Sequence, residues 1–260
     1  KQIIEHQKLI VEEKNTEILD SINYARRLQE AILPPEKFWR EILPDSFVLY
    51  QPKDIVAGDF YFLESKGDLA IFAAADCTGH GVPGAMVSVV CSNALSRAVK
   101  EFALTDPGKI LDKVRELVLE TFEKSESAVN DGMDISLCTL NQKTNELLWA
   151  GANRGVLHFR NAEKELVEIS GSKQPVGASE NPKEFTTHRV DIGKGDIVYL
   201  YTDGYADQFG GTKGKKFKTS SLKKLVLEIS AMTMSEECRI LEETILNWKG
   251  SIEQVDDICV

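Results

Sequence analysis

The chain has 260 residues, 42% hydrophobic and 28% charged, with a formal net charge of −10. That acidity, with no basic stripe interleaved with aromatics, excludes a nucleic-acid-binding surface, and no apolar run approaches the roughly 18 residues of a membrane span. Five scattered cysteines (Cys77, Cys91, Cys138, Cys238, Cys259) form no C-x-x-C pair, which excludes a disulfide scaffold and points to reduced thiols in a cytoplasmic setting.

Residues 1–32 contain no Gly or Pro and are rich in helix-forming residues. Ile4, Val11, Ile18, Ala25 and Ile32 recur every seven residues, with Leu28 between, while Gln7, Lys14 and Ser21 make the second seam polar. The stripe has two readings: a helix packed on its own domain, or a coiled-coil linker that pairs two chains and relays a signal. The chain opens at Lys1 inside a helical pattern and closes at Val260 inside a strand pattern, as a piece cut from a longer protein would. An upstream sensor, and any membrane attachment, would then lie outside it. Residues 1–32 are expected to be a linker or dimerisation helix, and residues 33–260 the functional domain. His6 would suit a histidine-kinase dimerisation helix, but the glycine-rich nucleotide motifs that such a kinase needs are absent.

Leu33-Pro34-Pro35 ends the first helix, because proline lacks the amide donor and restricts the residue before it. Strands are predicted at Phe47 to Gln51, Phe60 to Glu64 and Leu69 to Ala75, then helices from Val82 to Phe102 and from Lys109 to Phe122. Ile135 to Leu140, Glu146 to Ala150, Val156 to Phe159 and Leu166 to Ile169 read as a meander. A strand from Ile197 to Tyr201, helices from Ser221 to Ile229 and from Ser235 to Trp248, and a last strand from Asp257 complete the order. Two blocks of strands, each followed by a helix pair, predict an α/β fold of two packed sheets with helices outside.

Four acidic stations stand at predicted strand boundaries: Asp59 after Gly58, Asp76 before the glycine-rich turn Gly79-His80-Gly81, Asp203 in Thr202-Asp203-Gly204, and Asp256-Asp257. Any one of them is more often a turn residue than a ligand. Together they predict a carboxylate cluster assembled by folding. Two carboxylates about 4 Å apart repel by roughly 4 kcal/mol at an effective dielectric near 20, so such a cluster needs a proton or a cation. Hard oxygen donors favour magnesium or manganese over zinc.

The ordered set Gly58-Asp59-Phe60-Tyr61, Asp76-x-x-Gly79-His80-Gly81, Thr202-Asp203-Gly204 and Asp256-Asp257-Ile258 resembles the metal-binding motifs of the metal-dependent serine/threonine protein phosphatases (PPM, or type 2C), specifically their SpoIIE-like bacterial branch. The similarity runs from about Leu33 to the end. It implies a four-layer αββα sandwich of two mostly antiparallel sheets with flanking helices, preceded by the N-terminal helix. It also implies two Mn2+ or Mg2+ ions bridged by Asp59 and held by Asp76, the backbone oxygen of Cys77, Asp203 and Asp256. A third metal would fall near Asp131, although Asp134 competes for that role. Phosphoserine or phosphothreonine would then be hydrolysed by a metal-bridging water, with no side-chain nucleophile. The resemblance further implies a phosphorylated regulatory protein as substrate, such as an anti-sigma-factor antagonist.

Other residues carry competing signatures. Cys91 and Arg97 have the Cys-x5-Arg spacing of cysteine-dependent phosphatases, but Cys91 lies inside an apolar helical pattern, where no amide cradle forms. His80 would donate to a leaving oxygen or, more simply, stabilise its turn. The basic stretch 210–218 reads as a solvated loop, or as a lid over phosphoprotein. Asn153, Arg154 and Gly177 read as turn and structural positions. A pseudophosphatase that binds phosphoprotein without turnover is the alternative function. For regulation, the helix beginning at Val82 is expected to move relative to Asp76, driven by pairing of residues 1–32.

Overall fold

The computed structural model describes residues 2–123 and 131–260; Lys1, and Asn130 of the stretch around Asp131, lie outside the described residues. Helix α1 (Gln2–Glu30) is followed by α2 (Glu36–Ile42), which starts on Pro35 and is too short to show a period in the sequence. The apolar stripe of α1 faces solvent, with Ile4 71%, Val11 57% and Ile18 56% exposed. It reaches the domain body through its C-terminal end, where Gln29 and Leu33 are buried. This is not the arrangement expected of a helix packed along its length on its own domain.

The first sheet has the order β2 (Phe60–Lys66), β3 (Leu69–Cys77), β4 (Met133–Asn141), β5 (Glu146–Ala152) and β8 (His188–Val190), antiparallel throughout. Period-two alternation splits β3 between two cores. Ile71, Ala73 and Ala75 pack toward helices α3 (Gly81–Lys100) and α4 (Pro107–Glu123), whereas Phe72 and Ala74 face the space between the sheets. On the helix side, Leu95, Ile110 and Leu111 are fully buried, each stabilising the fold by roughly 2 kcal/mol. Trp149 anchors the middle layer, its indole N–H donating to Ser136 Oγ at 2.8 Å.

The second sheet has the order β7 (Glu165–Ile169), β6 (Val156–Arg160), β9 (Ile197–Tyr199). The final strand β12 (Ile258–Cys259) pairs with β1 (Tyr50–Gln51), and Thr202 N–H donates to the Cys259 carbonyl at 2.9 Å, which joins that pair to the chain leaving β9. Helices α6 (Thr219–Ile229) and α7 (Met234–Lys249) cover its outer face through Leu222, Val226, Leu241 and Ile245. Three cores between four layers make the αββα sandwich.

Four features differ from the sequence reading. The predicted meander is split: β4 and β5 belong to the first sheet and β6 and β7 to the second, so the turn at 153–155 crosses between sheets. Helix α3 has the length and hydropathy of a membrane span, contrary to expectation, yet its apolar face, from Ala85 through Cys91 and Leu95 to Val99, is buried in the domain. A one-turn helix α5 (Gly204–Asp207) follows Asp203. The basic stretch is a hairpin, β10 (Phe209–Gly210) and β11 (Lys215–Lys216), fastened to α7 by Gly211 N–H donating to the Trp248 carbonyl at 2.8 Å.

Candidate active site

The acidic stations meet at one end of the sandwich. Strand β2 begins at Phe60, so Asp59 sits just before the sheet, while β3 carries Asp76 next to its last residue, Cys77. Gly58 and Gly84 both press on the carbonyl of Gly79, and a Cβ on either would overlap that oxygen. Close backbone contact of this kind requires glycine, and it holds the Asp59 loop against the turn that follows Asp76. The Cys77 carbonyl oxygen lies 3.2 Å from where a Gly58 Cβ would stand, so it faces the same loop.

Hydrogen bonds tie the other stations in. Thr202 Oγ1 donates to Asp59 Oδ2 at 2.6 Å and accepts from Cys259 N–H at 3.0 Å, placing Asp203, the next residue, beside the cluster. Asp257 is buried and accepts from the amides of Lys53 and Gly58 at 2.7 Å each and from that of Asp59 at 3.5 Å. Its neighbour Asp256 accepts from the Asp257 amide at 2.9 Å. Tyr50 donates to the Asp59 carbonyl at 3.0 Å. Asp59 itself is 2% exposed.

Arg154, a turn and structural position by its sequence, stands inside the acidic cluster. Its guanidinium Nη2 bonds Asp76 Oδ2, donates to Asp203 Oδ2 at 2.8 Å and lies 3.8 Å from Asp134 Oδ2. Asp134 is the direct partner of Asp76 in the β3–β4 ladder and accepts from Asn153 Nδ2 at 2.9 Å. Asn153 does fill the turn role expected of it, with φ 52°. The only sequence signal for Arg154 was a cation between Gly151 and Gly155, at a crossing that the meander reading did not show.

Asp131 precedes β4, with its backbone against Gly177, so Asp134 rather than Asp131 stands at the Arg154 contact. His80 lies at the rim, exposed, its Nδ1 3.2 Å from Asp54 Oδ2, which fits the turn role. Cys91 is buried in mid-α3 and Arg97 pairs with Glu101 at 3.1 Å, so neither meets the acidic stations. A cavity of about 700 Å3 between the sheets, lined in part by Phe72, Leu140, Val198 and Leu200, contains none of the stations. Charge locates this site, not volume.

Burial raises the Asp59 carboxyl well above its ordinary range, and Asp76, Asp257 and Asp256 add to the shift while the Thr202 hydroxyl opposes it. Asp76 is pushed up to about 7 by burial, with Arg154 opposing and Asp203, Asp256 and Asp134 reinforcing. Asp134 and Asp256 are raised too, first by burial. Burial works against the Arg154 charge, but Asp203 and Asp76 outweigh it and its pKa is raised. One guanidinium, with Lys53 acting on Asp256, thus stands against the carboxyls of Asp59, Asp76, Asp134, Asp203 and Asp256.

A hard, oxygen-only donor set with uncompensated negative charge fits divalent magnesium or manganese. Among the described residues no three His, Cys, Asp or Glu side chains are already gathered in ligating positions. The guanidinium of Arg154 stands among the carboxylates instead.

The family model for Stage II sporulation protein E (SpoIIE) matches residues 66–260. The SiaA-PP2C domain of Pseudomonas aeruginosa is similar with a TM-score of 0.84 and 27% identity, over 95% of this chain and 96% of that one. The PP2C phosphatase domain of SpoIIE from Bacillus subtilis, with a fragment of its regulatory domain, gives 0.65 and 15%, over 83% and 62%. RsbX, in a complex with magnesium, gives 0.54 and 15%, over 82% and 90%. At 15% identity the last two establish the fold alone. No match was found among curated proteins.

Proposed function

Because the chain belongs to the SpoIIE family and has the PP2C-type serine/threonine phosphatase fold, we propose that it is a metal-dependent phosphoserine/phosphothreonine protein phosphatase working with two Mn2+ or Mg2+ ions. The observation that carries this reading is the convergence of Asp59, Asp76, Asp203 and Asp256 from four distant segments, with more negative charge than Arg154 offsets. Asp59, Asp76, Asp203, Asp256 and the Cys77 carbonyl are the groups that would hold the ions. When bound, these ions supply an activated water and fixed positive charge for the phosphoryl oxygens. Thr202 orients Asp59 from one side; from the other, Asp257 fixes the loop by accepting from the Gly58 amide, and Tyr50 donates to the Asp59 carbonyl. No side-chain nucleophile is needed. Release of phosphate from a phosphoserine protein is expected to require Mn2+ or Mg2+ and to stop in excess chelator; turnover that persists there contradicts the reading.

The substrate proposed is a phosphorylated regulatory protein, such as an anti-sigma-factor antagonist. Five free cysteines fit a reducing, cytoplasmic location. One observation favours a phosphoprotein-binding module without turnover, namely the arginine standing among the candidate ligands. Metal binding with no release from several phosphoproteins would establish that second reading.

Residues 1–32 are proposed as a signalling helix that pairs with a second copy and acts on a catalytic unit formed by residues 33–260. Gln29 supports the link. Its side chain donates to the Ala57 carbonyl at 2.6 Å and to Ser88 Oγ at 2.9 Å, and accepts from the Ala57 amide at 3.1 Å. One residue therefore joins α1 to α3 and to the loop two positions before Asp59. Gln29→Ala is expected to raise the Mn2+ concentration for half-maximal turnover by at least about five-fold, a modest coupling energy. An unchanged value, measured on protein with the parent circular dichroism spectrum, would remove this link.

A further inference from the structure

We infer that Arg154 is the built-in counter-cation of the metal-free site, and that divalent ions load only by taking Asp76 and Asp203 away from it. The inference rests on the reading of Asp76 and Asp203 as metal ligands. It goes beyond that reading by making metal loading an exchange of one cation for others.

The contacts of Arg154 are those of a counter-ion. One nitrogen, Nη2, is shared by carboxylates from β3 and from the turn before α5, with that of β4 nearby. Charge-assisted bonds from guanidinium to carboxylate are among the stronger polar contacts in proteins. A metal that claims the same Oδ2 atoms of Asp76 and Asp203 must break them.

The backbone under Arg154 is shaped for this placement. The Arg154 carbonyl is clasped between Gly151 and Gly171, and a Cβ on either glycine would overlap it. Asn153, in the left-handed region, directs the chain between the sheets and bonds Asp134. The side chain therefore enters the cluster from a fixed base. It is not a surface arginine that has folded inward.

The arrangement is also incomplete in a telling way. Arg154 Nε is buried and has no hydrogen-bond partner. A guanidinium optimised only to hold the fold would place that donor against an acceptor. One built for a contact that is made and broken can leave it unpaired. In the exchange, the guanidinium leaves Asp76 and Asp203 as the ions arrive, and no covalent bond changes.

Arg154→Met keeps the apolar stem and removes the charge. Titration calorimetry with Mn2+ alone, together with thermal melting in chelator, tests the inference without any turnover assay. The variant should bind Mn2+ at least about ten-fold more tightly than the parent, the effect of removing roughly one charge-assisted hydrogen bond that competes. It should also melt at a lower temperature in chelator, with the difference closing or reversing when Mn2+ is saturating. Arg154→Lys keeps the charge without the fork and should fall between the two, which provides a reading if the methionine variant does not fold without metal. Unchanged or weaker Mn2+ binding by both variants, with the parent binding normally, overturns the inference. Unchanged Mn2+ affinity with a raised KM for phosphoprotein also overturns it and makes Arg154 a substrate ligand. Absence of Mn2+ binding by the parent defeats the metal reading itself.

Discussion

Asp59→Asn is expected to lower phosphatase turnover by on the order of 10^3-fold or more, since several kcal/mol of transition-state stabilisation depend on the ions it would bridge. The substitution nearly preserves shape. An asparagine carbonyl can still accept from Thr202 Oγ1, which bonds Asp59 Oδ2 at 2.6 Å in the parent. What disappears is the charge, at a position 2% exposed to solvent. Stability should move the other way. A carboxyl group whose folded pKa is raised favours the fold at pH values below its unfolded pKa, and that contribution is lost as pH rises through the folded value. The Asp59 carboxyl is raised by burial and then by its acidic neighbours, so at pH 8 the metal-free parent carries a strain that the variant lacks. In chelator at pH 8, Asp59→Asn should therefore melt no lower than the parent while being inactive with Mn2+. A variant that lost turnover because it unfolded would assign Asp59 to the scaffold instead.

The adjacent aspartates Asp256 and Asp257 should fail in opposite ways. Both Asp257 oxygens are already engaged by backbone amides, at 2.7 Å to Lys53 and to Gly58. Asp257→Asn turns one acceptor into a donor facing an amide. The expected loss is about 3 kcal/mol in chemical denaturation without metal, the scale of hydrogen bonds to a buried charged group. Turnover would fall with it, because the same amides fix the loop that carries Asp59. The Asp256 carboxyl accepts from one backbone amide and otherwise faces Asp203, Asp257 and Lys53, with Asp59 nearby. Asp256→Asn should therefore change stability little while weakening Mn2+ binding by about ten-fold or more, as loss of one charged ligand would. Weak Mn2+ binding by the Asp257 variant together with a destabilised Asp256 variant would exchange their assignments.

Much of the fold was legible because its signals are local and periodic. The Phe-Tyr-Phe opening of Phe60–Lys66, the continuous apolar run of Leu69–Cys77, the long apolar pattern of Gly81–Lys100 and the proline pair at 34–35 each specify an element within a few residues. The acidic stations were legible as residue types at strand ends, and Asp59, Asp76, Asp203 and Asp256 do come together. Partnering across layers was not legible. Nothing in the stretch from Ser136 to Ile169 says that two strands stay in one sheet and two cross to the other, since both hairpins have the same alternation. Arg154 was lost with that crossing. Asp257 was lost for a different reason: next to a candidate ligand, a carboxylate that accepts three amides looks the same in sequence as a second ligand. Short elements such as α2, β8 and α5 were missed because three to seven residues cannot show a helical or strand period.

The most direct test is diffraction from crystals grown with Mn2+, recorded where manganese scatters anomalously. Two peaks are expected among Asp59, Asp76, Asp203, Asp256 and the Cys77 carbonyl, with the Arg154 guanidinium moved off Asp76 and Asp203. No anomalous peak among those residues, in crystals of protein that releases phosphate, would contradict the metal-dependent mechanism.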